Sequence, residues 1–289
     1  MTGEFVGSIV PLSPEAEAQA QFGAMWQDAW KRARVELGNP NLVRTAQLTF
    51  DQLCVEQPTW VAPTKEIFVQ QSVAAALEPE VFEHALYPWA CYVVQRLSEE
   101  GPLLIWSAGD LDGSVNRQGK LVAGSQEQER RIVASKVLAQ AELKNAVGIA
   151  AAEDKFERLF FKGAIDWLIA HGATEIEVVE DKLGNLKQGA ELLGDINVGL
   201  PSGLVWVRQG IHVDTAEKAP EGVIDLPNIS RIDWYLRMRG ERKGKIGRLL
   251  DFDGVLSDDE LRQYYQQMSV HRRLQSLGWL HNTRYETAS

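Results

Sequence analysis

The sequence predicts an α/β protein with a three-layer, Rossmann-like, mainly parallel sheet and a helical cap lobe. From about residue 81 onward, strand-like segments rich in β-branched residues alternate with helix-like segments, which favours parallel strands with helices on both faces. Before residue 80, apolar residues recur at helical spacing without strand signals. We therefore predict a helical cap-like lobe over 1–80, an α/β core over 81–256 and a C-terminal helix over 257–289, in the core or the cap.

The predicted lobe opens with one long amphipathic helix. Ser13 is a suitable N-cap, Pro14 fits the first turn, and Gly38 is suited to end the helix. The apolar residues at helical spacing indicate packing rather than a cofactor site; they are Phe22, Met25, Trp26, Trp30 and Ala33. A second helix is predicted for the segment NLVRTAQLTFDQLCV, which begins at Asn41.

The core contains four predicted strands, in the segments PLLIWSAGD, TEIEVVED, LPSGLVWVRQG and IGRLLDFDGVL. Helices are predicted at about 132–146 and 155–171, and a last helix follows Ser257, which is its predicted cap. A segment with glycines at 184, 189 and 194 separates the predicted strands TEIEVVED and LPSGLVWVRQG. The charged run RMRGERKGK over 237–245 is interpreted as an exposed loop.

Composition excludes several classes of function. A net charge of −10 and a pI near 5.1 argue against binding to nucleic acid or to anionic membranes, because both require basic surfaces. The two cysteines, Cys54 and Cys91, are too few for a disulfide framework and indicate a reducing compartment. Neither a signal peptide nor an apolar stretch of membrane-spanning length is recognisable. We therefore expect a cytoplasmic protein without a membrane partner.

The most informative segment is Asp251-Phe252-Asp253-Gly254-Val255-Leu256. An apolar run delivers two carboxylates to the end of a strand, where α/β sheets bind ligands. The turn that Gly254 permits can bring both carboxylates around one metal ion and one phosphate. One carboxylate can then attack phosphorus while the other moves protons.

This segment resembles the first motif of the haloacid dehalogenase superfamily, hhhhDxDG(T/V)(L/V), where h is an apolar residue. The second motif of that family is a serine or threonine that ends an apolar strand. Ser107, at the end of the apolar run PLLIWS, resembles it. The fourth, an acidic pair that ends a strand, resembles Glu180 and Asp181 in VVEDKL. The third motif is a lysine, for which Lys155 has suitable spacing and Lys162 competes.

The order of these motifs departs from the family, because the first motif follows the fourth. A circular permutation, in which RMRGERKGK joins the old termini, explains this order and is tolerated when termini lie close together. We therefore expect the strand that ends at Asp251 to lie mid-sheet, between the strands that end at Ser107 and Asp181. We also expect the helices of residues 13–80 to cover the site.

The resemblance implies a magnesium-dependent phosphatase, a hydrolase of small phosphorylated substrates. Asp251 is then the nucleophile and Asp253 the proton donor and acceptor, a second carboxylate that in this family favours phosphoryl transfer over dehalogenation. Ser107 binds the transferring phosphoryl group, and Lys155 neutralises the carboxylates. The implied ligands of Mg²⁺ are Asp251, Asp181 and the backbone carbonyl of Asp253, with Glu180 in the outer sphere.

Two other sites and one other function stay open. Asp51, in LTFDQLCV, is a rival nucleophile in the conventional N-terminal place, although Leu53 and Cys54 stand where the second aspartate and the glycine belong. The segment Asp110–Ser114 also contains DLDG, but using it would leave no second motif. The alternative function is a catalytically inactive module of the same fold that binds proteins.

Overall fold

The computed structural model describes residues 13–37, 41–57, 63–108, 137–152, 154–196, 198–208, 218–240 and 244–280. The helices are α1 (Pro14–Leu37), α2 (Leu42–Glu56), α3 (Lys65–Ala76), α4 (Pro79–Ala85), α5 (Ala90–Glu100), α6 (Val137–Gln140), α7 (Arg158–Ala170), α8 (Leu183–Ile196), α9 (Ile232–Arg239) and α10 (Asp259–Ser276). The strands are β1 (Leu103–Ala108), β2 (Val147–Ala152), β3 (Ala173–Glu180), β4 (Ser202–Val207), β5 (Val223–Leu226) and β6 (Lys245–Asp251).

The chain forms two compact units. Unit 1 contains Met1–Ala76 and Gln266–Ser289, and unit 2 contains Leu77–Tyr265. In unit 1, α1 follows the predicted first helix, and α2 begins after Asn41, whose side chain accepts a hydrogen bond from Arg44 N at 2.8 Å. The described part of unit 1 is helical, as its apolar spacing predicts.

Unit 2 is built on one sheet, which within the described residues has the strand order β2-β1-β6-β3-β4-β5. Every neighbouring pair of these strands is parallel. β6 therefore lies in the interior of the sheet, between β1 and β3. This confirms the α/β fold class and the predicted central position of the strand that ends at Asp251.

Alternating residues of the strands fill two apolar cores, one on each face of the sheet. Leu103 and Ile105 of β1 pack with α5 and α9 on one face. Leu104 and Trp106 pack with α7 and α8 on the other. Each large side chain of this kind contributes roughly 1.5–3 kcal/mol when it is fully buried. The helices thus form outer layers around a sheet that is buried on both sides, as parallel sheets require.

A buried ionic cluster lies below the carboxyl end of β6. Arg248 is fully buried and donates through Nε to Glu177 Oε2 at 2.7 Å and through Nη2 to Glu100 Oε2 at 2.6 Å. Glu177 also contacts Tyr235 and Arg239 from α9. Because Arg248 and Glu177 are partners in the β3–β6 register, this cluster ties the central strand to its neighbour.

Several predicted boundaries are wrong. Residues 237–239 of the supposed loop end α9, and helix α8 lies in the glycine-containing segment after β3, for which the sequence predicts no element. Asp258 rather than Ser257 caps α10, because its Oδ1 accepts from Glu260 N at 2.9 Å and from Leu261 N at 3.0 Å. Among the described helices, none combines the length and apolar character needed to cross a bilayer.

Candidate active site

Asp251 and Asp253 lie where the central strand turns into α10. Asp251 is buried as the last residue of β6, and the chain then folds back tightly because Phe252 O accepts from Leu256 N at 2.9 Å and from Ser257 N at 3.0 Å. Burial of Phe252 and Leu256 anchors the turn in the core. The turn keeps the Asp253 carboxylate at the carboxyl edge of the sheet.

Gly254 allows this turn to approach the end of β3. Its φ of 83° lies in the left-handed region that side chains with a Cβ rarely adopt. A Cβ built on Gly254 would also lie only 2.2 Å from Asp181 Oδ2. Glycine is therefore required twice here, for the backbone conformation and for the space that the Asp181 carboxylate occupies.

The end of β1 brings Ser107 next to Asp253. Trp106 pairs with Asp251 in the β1–β6 register, and its carbonyl accepts from Phe252 N at 3.3 Å. Ser107 is the next residue, is fully buried, and has its Oγ 3.4 Å from Asp253 Oδ2. The hydroxyl and the second carboxylate of the acidic motif thus lie side by side.

The end of β3 adds two further carboxylates beside Asp251. One oxygen each from Glu180, Asp181 and Asp251 lies within 4.8 Å of the others, a spacing that can hold a metal ion. Neighbouring groups hold this acidic pair in place. Asn185 Nδ2 donates to Glu180 Oε2 at 3.0 Å, and Trp206 Nε1 donates to the backbone carbonyl of Asp181 at 2.9 Å.

Lys155 lies in the turn before α7 and supplies a buried positive charge. Its Nζ is 2.7 Å from Asp251 Oδ1 and also contacts Glu180 Oε1. The rings of Trp106 and Phe156 enclose the ammonium, with centroids 5.2 and 5.6 Å away. Burial alone would lower the pKa of Lys155, but the carboxylates of Asp251 and Glu180 raise that pKa above its ordinary value.

The pKa of Asp251 is raised, whereas an ion pair lowers the pKa of an exposed carboxyl. Burial raises the pKa of Asp251 well above its ordinary value, and the charge of Glu180 adds to the rise, whereas Lys155 opposes it. Around Asp251, carboxylates outnumber cations among the described residues of the site. Such a cluster favours a bound cation.

The structure brings the predicted site residues together within unit 2: Asp251, Asp253, Ser107, Lys155, Glu180 and Asp181. Lys162 instead lies on the exposed side of α7, where it pairs with Asp166. Asp51 lies on α2 of unit 1, exposed and paired with Lys65, rather than at the end of a strand. The segment Asp110–Ser114 lies outside the described residues.

Sequence reasoning missed three residues that contact this set. Asn185 on α8 and Trp206 on β4 support the acidic pair, and neither residue belongs to a recognisable motif. Arg262 Nη1 donates to Asp253 Oδ1 from the start of α10. A basic residue in the first turns of a helix is unfavourable for the helix dipole. That position alone does not mark Arg262, because its contact with Asp253 depends on how the turn after β6 places α10.

No family model, curated protein or solved structure matches this chain.

Proposed function

We propose that the protein is a magnesium-dependent phosphomonoesterase of the haloacid dehalogenase type, in circularly permuted order, that acts through an aspartyl-phosphate. One observation carries the proposal. Asp251 ends the central strand, with a carboxylate oxygen within 4.8 Å of one from Glu180 and one from Asp181, and Lys155 Nζ lies 2.7 Å from Asp251 Oδ1. A buried carboxylate with this surrounding is suited to attack phosphorus, because Lys155 and a cation held by the acidic cluster would together offset the negative charge of a phosphoryl group.

The proposed reaction has two displacements. In the first, a carboxylate oxygen of Asp251 attacks phosphorus, the ester P–O bond breaks, and Asp253 gives a proton to the leaving-group oxygen. In the second, water attacks phosphorus, Asp253 takes its proton, and the bond from phosphorus to Asp251 breaks to release inorganic phosphate. The hydroxyl of Ser107, next to Asp253, is placed to donate to a phosphoryl oxygen.

The acidic cluster fits Mg²⁺ by its chemistry. Its donors are all carboxylate oxygens, which this ion prefers. Asp181 and Asp251 would hold the ion directly, and Glu180 would act from its outer sphere. A bound magnesium ion supplies positive charge that offsets the negative charge of the carboxylates and of the substrate. The contribution of the Asp253 backbone carbonyl stays a prediction, as does the cover that residues 13–80 would give to the site.

The test is hydrolysis of p-nitrophenyl phosphate by the full chain, with Mg²⁺ and with excess EDTA. We expect phosphate release with Mg²⁺, its loss with EDTA, and phosphate covalently bound to Asp251 after acid quenching. Absence of turnover over a broad panel of phosphomonoesters would refute the proposal. That result would favour an inactive protein-binding module.

A further inference from the structure

Arg262 forms a well-protected ion pair with the proposed proton donor. Its Nη1 donates to Asp253 Oδ1, and the two side chains are only 14% and 15% exposed. The helical pair Arg32–Asp28 is 52% and 58% exposed by comparison. Exposed pairs contribute roughly 0–1 kcal/mol because water screens them. The Arg262–Asp253 pair is largely shielded from that screening.

Among the contacts that the described residues make with the Asp253 carboxylate, this ion pair has the largest influence on its direction. The hydroxyls of Ser107 and Ser257 approach its two oxygens at 3.4 Å, the long limit of a hydrogen bond. A charge-assisted bond from a guanidinium is about twice as strong as a bond between neutral groups. Since Arg262 holds Oδ1, the other oxygen, Oδ2, is directed towards Ser107.

Arg262 is itself held firmly. Asp258 caps α10, its backbone N donates to Ala85 O at 2.8 Å, and Arg262 N donates to Asp258 O at 2.9 Å. A cation so near the positive end of a helix is unfavourable, and the ion pair with the Asp253 carboxylate offsets part of that cost. The arginine is therefore fixed to the same turn that carries the acidic motif.

We propose that Arg262 is a positioning residue that holds Asp253 Oδ1 so that Oδ2 faces the leaving-group oxygen and carries the proton in both displacements. This inference rests on the proposed function. A proton donor must lie within about 2.6–3.2 Å of its acceptor, and a misplacement of about 1 Å can lower the rate by about 100-fold. Arg262 acts through Asp253 and does not touch the reacting atoms.

The test compares Arg262→Gln and Arg262→Lys with the matched control Arg272→Gln, an exposed arginine of the same helix. The substrates are p-nitrophenyl phosphate, phenyl phosphate and an alkyl phosphate. A good leaving group departs without a proton, and kcat/KM reports the first displacement alone. We therefore expect Arg262→Gln to lower kcat/KM by less than about 3-fold on the first and about 100-fold on the last. Arg262→Lys should recover part of the loss.

A double-mutant cycle with Asp253→Asn provides a readout that a purely structural role would not move. If Arg262 acts through Asp253, adding Arg262→Gln to Asp253→Asn lowers kcat no further. An equal loss of kcat/KM on all three esters, or an additive double mutant, would overturn the positioning role while leaving the proposed function intact. If the wild type hydrolyses none of the esters, both proposals fail. Thermal unfolding of each variant shows whether it is folded.

Discussion

Lys155 Nζ lies 2.7 Å from Asp251 Oδ1, and both side chains are almost completely buried. The two residues come from distant parts of the chain, the turn before α7 and the end of β6. The same ammonium contacts Glu180, so one lysine connects carboxylates from two neighbouring strands. Removal of this charge would leave these carboxylates facing each other in a dry environment.

We expect Lys155→Met to destabilise the protein without Mg²⁺ by about 3–5 kcal/mol, the usual cost of leaving buried charges without their partner. Methionine keeps an unbranched chain against Trp106 and Phe156, so lost packing contributes little. Urea unfolding gives the free-energy difference. Lys162→Met is the matched control, since Lys162 is half exposed and should change stability by less than about 0.5 kcal/mol. Equal effects of the two substitutions would contradict the prediction.

The strands around the site are predictable because each is an apolar segment that contains β-branched residues. β1, β3, β4 and β6 all lie in segments predicted as strands. β2 escapes prediction because its sequence, VGIAAA, is mostly alanine and glycine, and β5 because it has only four residues. The glycines of α8 obscure its helical pattern, yet Leu183, Leu186 and Leu193 pack onto the sheet and outweigh the cost of glycine in a helix.

The site is predictable where the chain itself brings groups to adjacent strand ends, as for Ser107, Glu180 and Asp251. Lys155 requires more, because spacing alone does not distinguish it from Lys162. Arg262 is harder still, since its contact with Asp253 depends on how the turn after β6 aims α10. Contacts made by side chains from turns and helices depend on tertiary packing, which local patterns do not encode.

Asp251→Asn should abolish phosphatase activity, with a fall in kcat of at least about 1,000-fold. An amide has nearly the shape of a carboxylate but is a far poorer nucleophile and metal ligand, so the fold is kept and the first displacement is lost. Steady-state hydrolysis of p-nitrophenyl phosphate with Mg²⁺ measures the loss. Asp51→Asn, on the exposed side of α2, should leave the activity largely unchanged. The reverse result would transfer the nucleophile to Asp51.

The same variant should be more stable than the wild type without Mg²⁺, and increasingly so as the pH rises. The pKa of Asp251 is raised in the folded protein, so the folded state keeps its proton after the unfolded state, with a pKa near 3.9, has lost it. The contribution of Asp251 to the free energy of unfolding is therefore complete below about pH 4 and is lost as the pH rises through the folded-state pKa of Asp251. Asparagine has no such dependence. Melting temperatures in EDTA at several pH values test this, and an advantage that shrinks towards neutral pH would contradict it.

Arg248→Met should destabilise the protein by about 3 kcal/mol, because Glu177 and Glu100 would lose a buried partner. Removing both charges, as Arg248→Met with Glu177→Gln, should recover part of that loss, since the neutral glutamine needs no buried partner charge and its amide oxygen can still accept from Tyr235 and Arg239. Urea unfolding of the single and double variants measures both effects. Arg237→Met is the exposed control and should change stability by less than about 0.5 kcal/mol. Fully additive losses would show that the two charges do not act as a pair.

Gly254→Ala should damage both stability and metal binding, whereas Gly222→Ala should affect stability alone. Both glycines have nearly the same left-handed φ, 83° and 82°, so alanine strains either backbone by about 1–2 kcal/mol. Only at Gly254 does the new Cβ meet another group, Asp181 Oδ2 at 2.2 Å, while a Cβ at Gly222 has nothing within 4 Å.

The clash at Gly254 has to be relieved by moving the Asp181 carboxylate or the turn away from the acidic cluster. We therefore expect Gly254→Ala to lose more stability than Gly222→Ala and to need a Mg²⁺ concentration at least about 10-fold higher for half-maximal activity. Urea unfolding and Mg²⁺ titration of p-nitrophenyl phosphate hydrolysis measure the two effects. The same Mg²⁺ requirement in both variants would show that the close approach of Gly254 to Asp181 does not shape the metal site, because the backbone strain is common to both.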